Sequence, residues 1–99
     1  MGTSLKKSIL GQCELVAGVL KSLAHPTRLK ILCQLLDGEK SVNDLTEFCE
    51  ISQSAMSQFL GRMREDGILT SRRERQYIYY SIKDKKLIKL LHSMKEIYC

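Results

Sequence analysis

The feature that most constrains the fold is a change of hydrophobic period at Gly67. Before this glycine, apolar residues recur every three or four positions, as they do on one face of a helix. These residues are Met56, Phe59, Leu60 and Met63. From Ile68 onward, apolar and polar residues alternate over two short runs, a pattern typical of β-strands. The sequence therefore predicts a helix that leads directly into a two-stranded hairpin.

The helix of this unit, residues 52–67, has a polar outer face. Ser52 is a helix-start residue and Gly67 a helix-stop residue. Gln53 lies in the first turn, and the face opposite the apolar stripe carries Ser54, Ser57, Gln58, Gly61 and Arg62. Amides pair with adenine edges and arginine with guanine or phosphate, so this face suits the major groove of DNA. An ordinary amphipathic surface helix would show the same pattern, and the neighbouring elements decide between the two.

The hairpin behind this helix carries positive charge at its tip. Residues 68–73 and 76–82 are the predicted strands, and the tip between them reads Arg73-Glu74-Arg75, directly after Arg72. A basic hairpin beside a DNA-reading helix acts as a wing that follows the phosphates or enters the minor groove. We therefore expect Arg72, Arg73 and Arg75 to contact DNA.

Two short helices precede the unit. Residues 27–37 form an apolar helix that Pro26 opens. Ser41 caps the next helix, with Asp44 as its capping-box partner. The predicted buried residues of that helix are Val42, Leu45 and Phe48. Together with residues 52–67 it makes a helix-turn-helix pattern.

The two terminal helices carry apolar stripes. In residues 5–23 the stripe has the spacing of a coiled-coil seam, which suits a contact between two copies of the chain; it comprises Ile9, Cys13, Val16, Leu20 and Leu23. A last helix from Asp84 onward has the stripe Leu87, Leu91, Met94 and Tyr98. The predicted fold class is mainly α with a small β-hairpin, in the order α-α-α-α-β-β-α. This is a winged helix-turn-helix in a single domain over residues 1–99.

The net charge of +5 is concentrated in one part of the chain. Residues 1–66 contain eight Lys/Arg and eight Asp/Glu, whereas residues 67–99 contain eight Lys/Arg and three Asp/Glu. A basic part beside a neutral part indicates a polyanionic partner such as double-stranded DNA. A solvated lysine-rich helix accounts for the lysines of residues 83–95 but less well for the three arginines of the hairpin.

Composition also excludes several classes of protein. No stretch approaches 18 uncharged apolar residues, so no membrane span is predicted. The first residues lack the pattern of a signal peptide, and we expect a cytoplasmic protein. No nucleophile–base pair, phosphate-binding glycine loop or carboxylate pair stands out, so an enzyme is not expected, nor is a cofactor.

Three motifs together resemble the ArsR/SmtB family of bacterial repressors. They are LKSLAHPTRLKILCQLLDGEKSV, SQSAMSQFLGRMREDGILTSRRE and QYIYYSI, and the resemblance covers about residues 15–99. It implies a homodimer, paired through the first and last helices, that binds a palindromic operator and releases it in response to an inducer. One departure is Arg75, which stands where the family commonly has glycine. A residue with a side chain there requires either a different turn or a strained backbone.

The cysteines bear on the identity of the inducer. Cys33 in the second helix and Cys99 at the end of the last helix resemble the pair of the thiol-based subgroup, which responds to persulfides and oxidants. The resemblance implies that these two thiols become linked and that DNA affinity then falls. From its position alone, however, Cys33 is more simply a packing residue. Cys13 and Cys49 are interpreted as packing or incidental residues.

A metal site is not predicted. The helix before the DNA-reading helix has Cys49 without a second cysteine two residues away, and His92 on the last helix has only Glu96 as an i+4 neighbour. One imidazole and one carboxylate do not make a zinc-type site. His25 is assigned a helix-start role. Two alternatives stay open: a metal-responsive repressor with a site between subunits, and a regulator without sensing chemistry that displaces another DNA-binding protein.

Overall fold

The structure, a computed structural model, describes residues 10–99. Within residues 10–99, five helices pack around a three-stranded antiparallel sheet. The elements in chain order are α1 (Cys13–Leu23), α2 (Pro26–Leu35), β1 (Lys40–Ser41), α3 (Val42–Cys49), α4 (Gln53–Glu65), β2 (Leu69–Glu74), β3 (Tyr77–Ile82) and α5 (Lys85–Tyr98). This arrangement confirms the predicted winged helix-turn-helix. Residues 1–9, which include Ile9 of the predicted seam, lie outside the described residues.

Side-chain caps begin the helices at the predicted residues. The Oγ atom of Ser52 accepts a hydrogen bond from the backbone N–H of Ala55 at 3.1 Å, and Ser41 caps α3 in the same way. The Nδ1 atom of His25 accepts from the N–H of Thr27 at 3.1 Å, which confirms its helix-start role. Each cap satisfies a backbone donor that the first turn of a helix leaves without a partner.

The sheet has the order β1-β3-β2, with β3 in the centre. The two wing strands pair from Leu69 with Ile82 to Glu74 with Tyr77. Strand β2 therefore lies one residue later in the chain than predicted, and β3 begins one residue later and is one residue shorter. Strand β1 was not predicted, because two residues are too few to show an alternating pattern. It pairs Ser41 with Tyr79 and thereby joins the start of α3 to the wing.

The core lies between α2, α3, α4, the sheet and α5, and Leu32, Leu45, Met56, Leu60 and Met63 are fully buried in it. The prediction that Phe48 is buried was wrong. Phe48 is 52% exposed, and Cys49 is buried in its place. On a helix that begins at Val42, positions i, i+3 and i+7 share a face. Leu45 and Cys49 therefore complete the stripe, whereas Phe48 lies at its edge.

The packing interpretation of Cys33 was also wrong. The inner face of α2 is made by Ile31, Leu32 and Leu35, all buried, with Leu29 and Leu36 half-buried beside them. Cys33 is one position past Leu32, about 100° further around the helix, and it is exposed. Its thiol therefore faces solvent.

Helices α1 and α5 leave apolar side chains exposed. Val16 and Leu20 of the predicted seam are 49% and 52% exposed, and within α1 only Leu23 is buried. On α5, Leu87 and Leu91 are buried, but Tyr98, predicted to continue their stripe, is 84% exposed. The stripes of both helices therefore extend beyond the core. Among the described residues no helix is both long and apolar enough to cross a membrane.

Candidate nucleic-acid interface

Helices α3 and α4 are joined by a tight turn, and one side of α4 faces solvent. Glu50 follows α3 with φ of 54°, in the left-handed region, and Ile51 leads into the cap at Ser52. Helix α4 then buries Met56, Leu60 and Met63. Because these three residues lie on one side, the opposite side of α4 faces solvent.

The exposed side of α4 carries the residues predicted from the sequence. All five are exposed: Gln53, Ser54, Ser57, Gln58 and Arg62. They do not form a single cluster. Gln53 and Ser57 lie beside the wing, whereas Arg62 lies in a groove of about 680 Å³ with Glu14 of α1 and Asp66. The structure therefore separates Arg62, near the end of α4, from the amide and hydroxyl groups at its start.

A groove of about 330 Å³ separates the start of α4 from the wing. Gln53 and Ser57 line it from α4, Asn43 from α3, and Gln76 and Tyr77 from the wing tip. The last three were not predicted as interface residues. Their signals were available, since Asn43 is in the first turn of α3 and Gln76 follows the basic tip, but only the folded hairpin places them opposite Gln53.

The wing tip is a two-residue loop. Because Glu74 pairs with Tyr77, the loop consists of Arg75 and Gln76. Arg73 lies in β2, as the predicted strand has it, whereas Glu74 also belongs to β2 and not to the tip as predicted. Arg75 has φ of 60°, which is the left-handed backbone that a residue with a side chain adopts at a cost. The Nε atom of Arg73 donates a hydrogen bond to the carbonyl oxygen of Arg75 at 3.3 Å.

Arg72 and Arg73 lie on opposite faces of the sheet, because successive residues of a strand alternate. Arg73 pairs with Ile78, which lines the groove that contains Gln53. Arg72 pairs with Tyr79 and has its guanidinium carbon 4.8 Å from the centre of that ring. Arg73 is therefore on the side of α4, and Arg72 is on the far side.

The guanidinium of Arg72 is bound within the protein. Its Nε donates to both carboxylate oxygens of Glu39, at 3.0 and 2.9 Å, and its Nη2 also contacts Glu39. Its Nη1 lies 3.5 Å from a carboxylate oxygen of Glu74. The hydrogen bonds from Arg72 lower the pKa of Glu39, and the same bonds raise the pKa of Arg72 further above its usual range. Whether Arg72 also contacts DNA stays a prediction.

Further contacts fix α4 against its neighbours. Nη1 of Arg64 donates to the hydroxyl of Ser71 at 3.2 Å, which ties the end of α4 to the wing. The rings of His25 and Phe59 lie 5.1 Å apart, which ties the start of α2 to α4. These contacts were not predicted, because they join residues from separate elements that carry no shared sequence pattern.

Comparison with known proteins places this geometry in a family. The family model described as "Bacterial regulatory protein, arsR family" matches residues 25–71. The biofilm growth-associated repressor of Agrobacterium fabrum is 43% identical over 84 residues, which are 85% of this chain and 72% of that protein. This chain belongs to the ArsR family. It is therefore a DNA-binding transcriptional regulator.

Two further transcriptional regulators are similar to this chain. Transcriptional activator HlyU of Vibrio cholerae is 40% identical over 81 residues, covering 82% of this chain and 75% of that protein. The crystal structure of the transcriptional repressor BigR from Xylella fastidiosa superposes with a TM-score of 0.88 at 36% identity, over 95% of this chain and 96% of that chain. The winged helix-turn-helix of this ArsR-family chain is thus shared over nearly its whole length.

The cysteines of this ArsR-family chain fall into two environments. Cys33 and Cys99 are exposed and are not joined by a disulfide. Cys49 is buried in the core, and that burial raises the pKa of its thiol, so its interpretation as a packing residue is confirmed. Since the thiolate is the reactive form, the raised pKa makes Cys49 less reactive than an ordinary thiol. Cys13, the first residue of α1, is exposed.

No group of three or more His, Cys, Asp and Glu side chains suitable for a metal ion occurs within residues 10–99. His92 and Glu96 line a groove on α5 together with Cys99.

Proposed function

We propose that this chain is a dimeric ArsR-family repressor that releases its operator when Cys33 and Cys99 become linked by a disulfide or a polysulfide. The observation that carries the proposal is the exposure of Cys33 on a helix whose inner face is core. A packing cysteine would lie on that inner face. Cys33 is on the outer face, where a reagent and a second thiol can reach it.

DNA binding divides between helix α4 and the wing. Gln53, Ser54, Ser57 and Gln58 are exposed amides and hydroxyls at the start of α4, and such groups read base edges in the major groove. Arg73 and Arg75 at the wing supply charge for the phosphates. Arg62, further along α4, is suited to contact a phosphate at the edge of the DNA major groove.

Two copies of the chain pair through α1 and α5. Leu15, Val16 and Leu20 of α1 and Ile97 and Tyr98 of α5 are exposed apolar residues, and apolar surface of this extent is characteristic of an interface. Pairing places two α4 helices in successive major grooves on one side of the duplex. Leu20→Glu should therefore give a monomer by light scattering after gel filtration, whereas a dimer would refute this interface.

With hydrogen peroxide as the oxidant, the link forms in two steps. The thiolate of one cysteine attacks a peroxide oxygen, the O–O bond breaks, and a sulfenic acid and one water result. The second thiol attacks the sulfenic sulfur, the S–S bond forms, the S–O bond breaks and a second water leaves. Two thiols lose two electrons, and the peroxide gains them.

Inorganic polysulfide links the same residues by exchange. Attack of a thiolate on a sulfane sulfur expels a shorter sulfide and leaves a protein persulfide. The second thiol then attacks the cysteine sulfur of that persulfide, which forms the disulfide and expels hydrosulfide. If both cysteines are first converted to persulfides, attack of one on the other expels hydrosulfide and leaves a trisulfide.

A link between α2 and the end of α5 would change how the helix-turn-helix units of the two copies are placed relative to each other. Helix α2 lies directly before the helix-turn-helix and contacts α4 through His25 and Phe59. Helix α5 forms part of the proposed dimer contact. A bond between them would shift α2 relative to that contact and alter the spacing of the two α4 helices.

Mass spectrometry of the intact and digested protein tests the proposal. After treatment with sodium polysulfide or with peroxide, we expect a peptide that contains Cys33 joined to Cys99 by two or more sulfurs. A link from Cys33 to Cys13, or modification without any link, would contradict it. If no thiol reagent but zinc or arsenite releases DNA, the protein senses a metal; release by neither would mean a regulator without sensing chemistry.

A further inference from the structure

Three strands of the sheet are tied together by one arginine. Arg72 lies on β2, Tyr79 is its partner on the central strand β3, and Tyr79 also pairs with Ser41 of β1. Glu39 directly precedes β1. To reach Glu39, the guanidinium of Arg72 passes over the Tyr79 ring and crosses the central strand.

This contact joins the wing to the helix-turn-helix. Ser41, two residues after Glu39, is the cap of α3. Glu39, which binds Arg72, is thus close in the chain to α3, the first helix of the helix-turn-helix. Arg72 itself lies on β2, the strand that also carries Arg73 and leads into Arg75. At the base of the wing, Arg64 makes a second connection, from α4 to Ser71.

The position of Arg72 argues against a direct DNA contact. It lies on the sheet face opposite Arg73, whose partner Ile78 lines the groove beside α4. Its donors Nε and Nη2 are used by Glu39 and its Nη1 is close to Glu74. A phosphate would have to replace two carboxylates that already hold the guanidinium.

We infer that Arg72 is a positioning residue of the wing, which fixes Arg73 and Arg75 relative to α4 through Glu39 and Tyr79 instead of contacting the DNA itself. The inference rests on the proposed role of the wing in DNA binding. It revises the expectation that all three arginines contact phosphate. The planar guanidinium suits this role, because it binds a carboxylate with two donors and stacks on a ring at the same time.

Glu39→Gln distinguishes the two roles by the sign of its effect. If Arg72 positions the wing, loss of the carboxylate weakens DNA binding about three- to tenfold, in the range of couplings between contacting residues. If Arg72 is a phosphate contact, loss of its competitor strengthens binding. Asp37→Asn is the matched control, because Asp37 is an exposed acid in the same loop and its loss changes the net charge equally.

Two more variants complete the binding experiment. Arg72→Lys keeps the positive charge but cannot reproduce the fork and the stacking. A positioning role predicts that it binds as weakly as Arg72→Gln, whereas a phosphate contact predicts recovery. The double variant Arg72→Gln with Glu39→Gln should be no weaker than either single variant. The probe is a duplex selected by the wild-type protein from a random pool, and a cooperative thermal unfolding transition well above the assay temperature shows that each variant is folded.

Amide hydrogen exchange in the free protein tests the contact without DNA. Exchange at Tyr77 and Ile78 should be faster in Glu39→Gln and Arg72→Gln than in the wild type and in Asp37→Asn. Tighter DNA binding by Glu39→Gln than by Asp37→Asn would overturn the inference, and so would unchanged exchange. If the wild-type protein selects no duplex, the proposed function fails, while the exchange result still decides whether Arg72 holds the wing.

Discussion

Arg73 and Arg75 are linked across the wing tip by a hydrogen bond from the Nε of Arg73 to the carbonyl oxygen of Arg75, at 3.3 Å. The bond orients the Arg73 side chain along the tip and leaves its other guanidinium donors for a ligand. The guanidinium of Arg73 is thereby held beside the backbone of Arg75 at the end of the hairpin. This pair is the basis of the first prediction.

Arg73→Ala and Arg75→Ala should each weaken binding to every duplex and lower the salt dependence. A phosphate contact releases condensed counterions, so each loss reduces the slope of log affinity against log salt by about 1. Fluorescence anisotropy at several salt concentrations measures the slope. Lys30→Ala, an exposed cation on α2, is the control, and a slope equal to that of the control would remove the wing from the interface.

Arg75→Gly should raise stability and lower DNA affinity at once. Arg75 has φ of 60°, and a left-handed residue with a side chain costs about 1–3 kcal/mol. Glycine removes that strain but adds freedom to the unfolded chain, so a net gain of about 1 kcal/mol is expected. Arg75→Ala loses the charge yet keeps the strain, and urea unfolding should find it less stable than Arg75→Gly. Equal stability of the two would mean that the turn is not strained.

Gln58→Ala should change sequence preference more than overall affinity. Gln58 is exposed on the outer face of α4, where an amide discriminates one base pair by about 1–3 kcal/mol. Binding to a set of duplexes with single base changes measures this preference. We expect the penalty for change to disappear at one position only. An equal loss on all duplexes would show that Gln58 only positions the helix.

Arg72→Gln should raise the pKa of Glu39 toward the ordinary value for glutamate. In the wild type, hydrogen bonds from Arg72 lower that pKa. A lowered pKa means that the contact stabilises the folded state above the unfolded-state pKa and is lost as pH falls through the folded-state pKa. The stability difference between wild type and Arg72→Gln should therefore vanish in acid. NMR titration of the Glu39 carboxyl checks the shift, and identical titration curves would contradict the contact.

Local signals predicted most of the fold. Ser41 and Ser52 cap helices where the sequence placed helix starts, because capping depends on residues within one turn. Gly67, the predicted stop of the DNA-reading helix, has φ of 79°, a conformation that glycine adopts without strain. The change of period at Gly67 correctly separated α4 from the wing.

Contacts between distant parts of the chain could not be predicted. Glu39 and Arg72 are 33 residues apart, and no periodicity marks them as partners. Strand β1 exists because β3 offers it a pairing edge, so two residues suffice where an isolated strand would not form. The five predicted α4 residues are exposed as expected, but only the folded wing shows which of them it faces.

The remaining errors concern which side of a helix a residue faces. Phe48 and Cys33 each sit next to a buried residue, Cys49 and Leu32, and were assigned to the wrong side. A single step along a helix turns a side chain by about 100°. An apolar pattern without a sharp border does not specify where the core ends. For Cys33 the error lies in the interpretation from position alone; the sensing role that the family resemblance implies for it stays a prediction.

The central claim is that Cys33 and Cys99 control DNA binding, and release of a bound duplex measures it most directly. Fluorescence anisotropy should show that wild type, Cys33→Ser and Cys99→Ser bind the selected duplex equally when reduced. Sodium polysulfide should release the duplex from the wild type but from neither of these variants. Cys49→Ala is the control, from which the reagent should still release the duplex. Release of the double variant Cys33→Ser with Cys99→Ser by the same reagent would contradict the account.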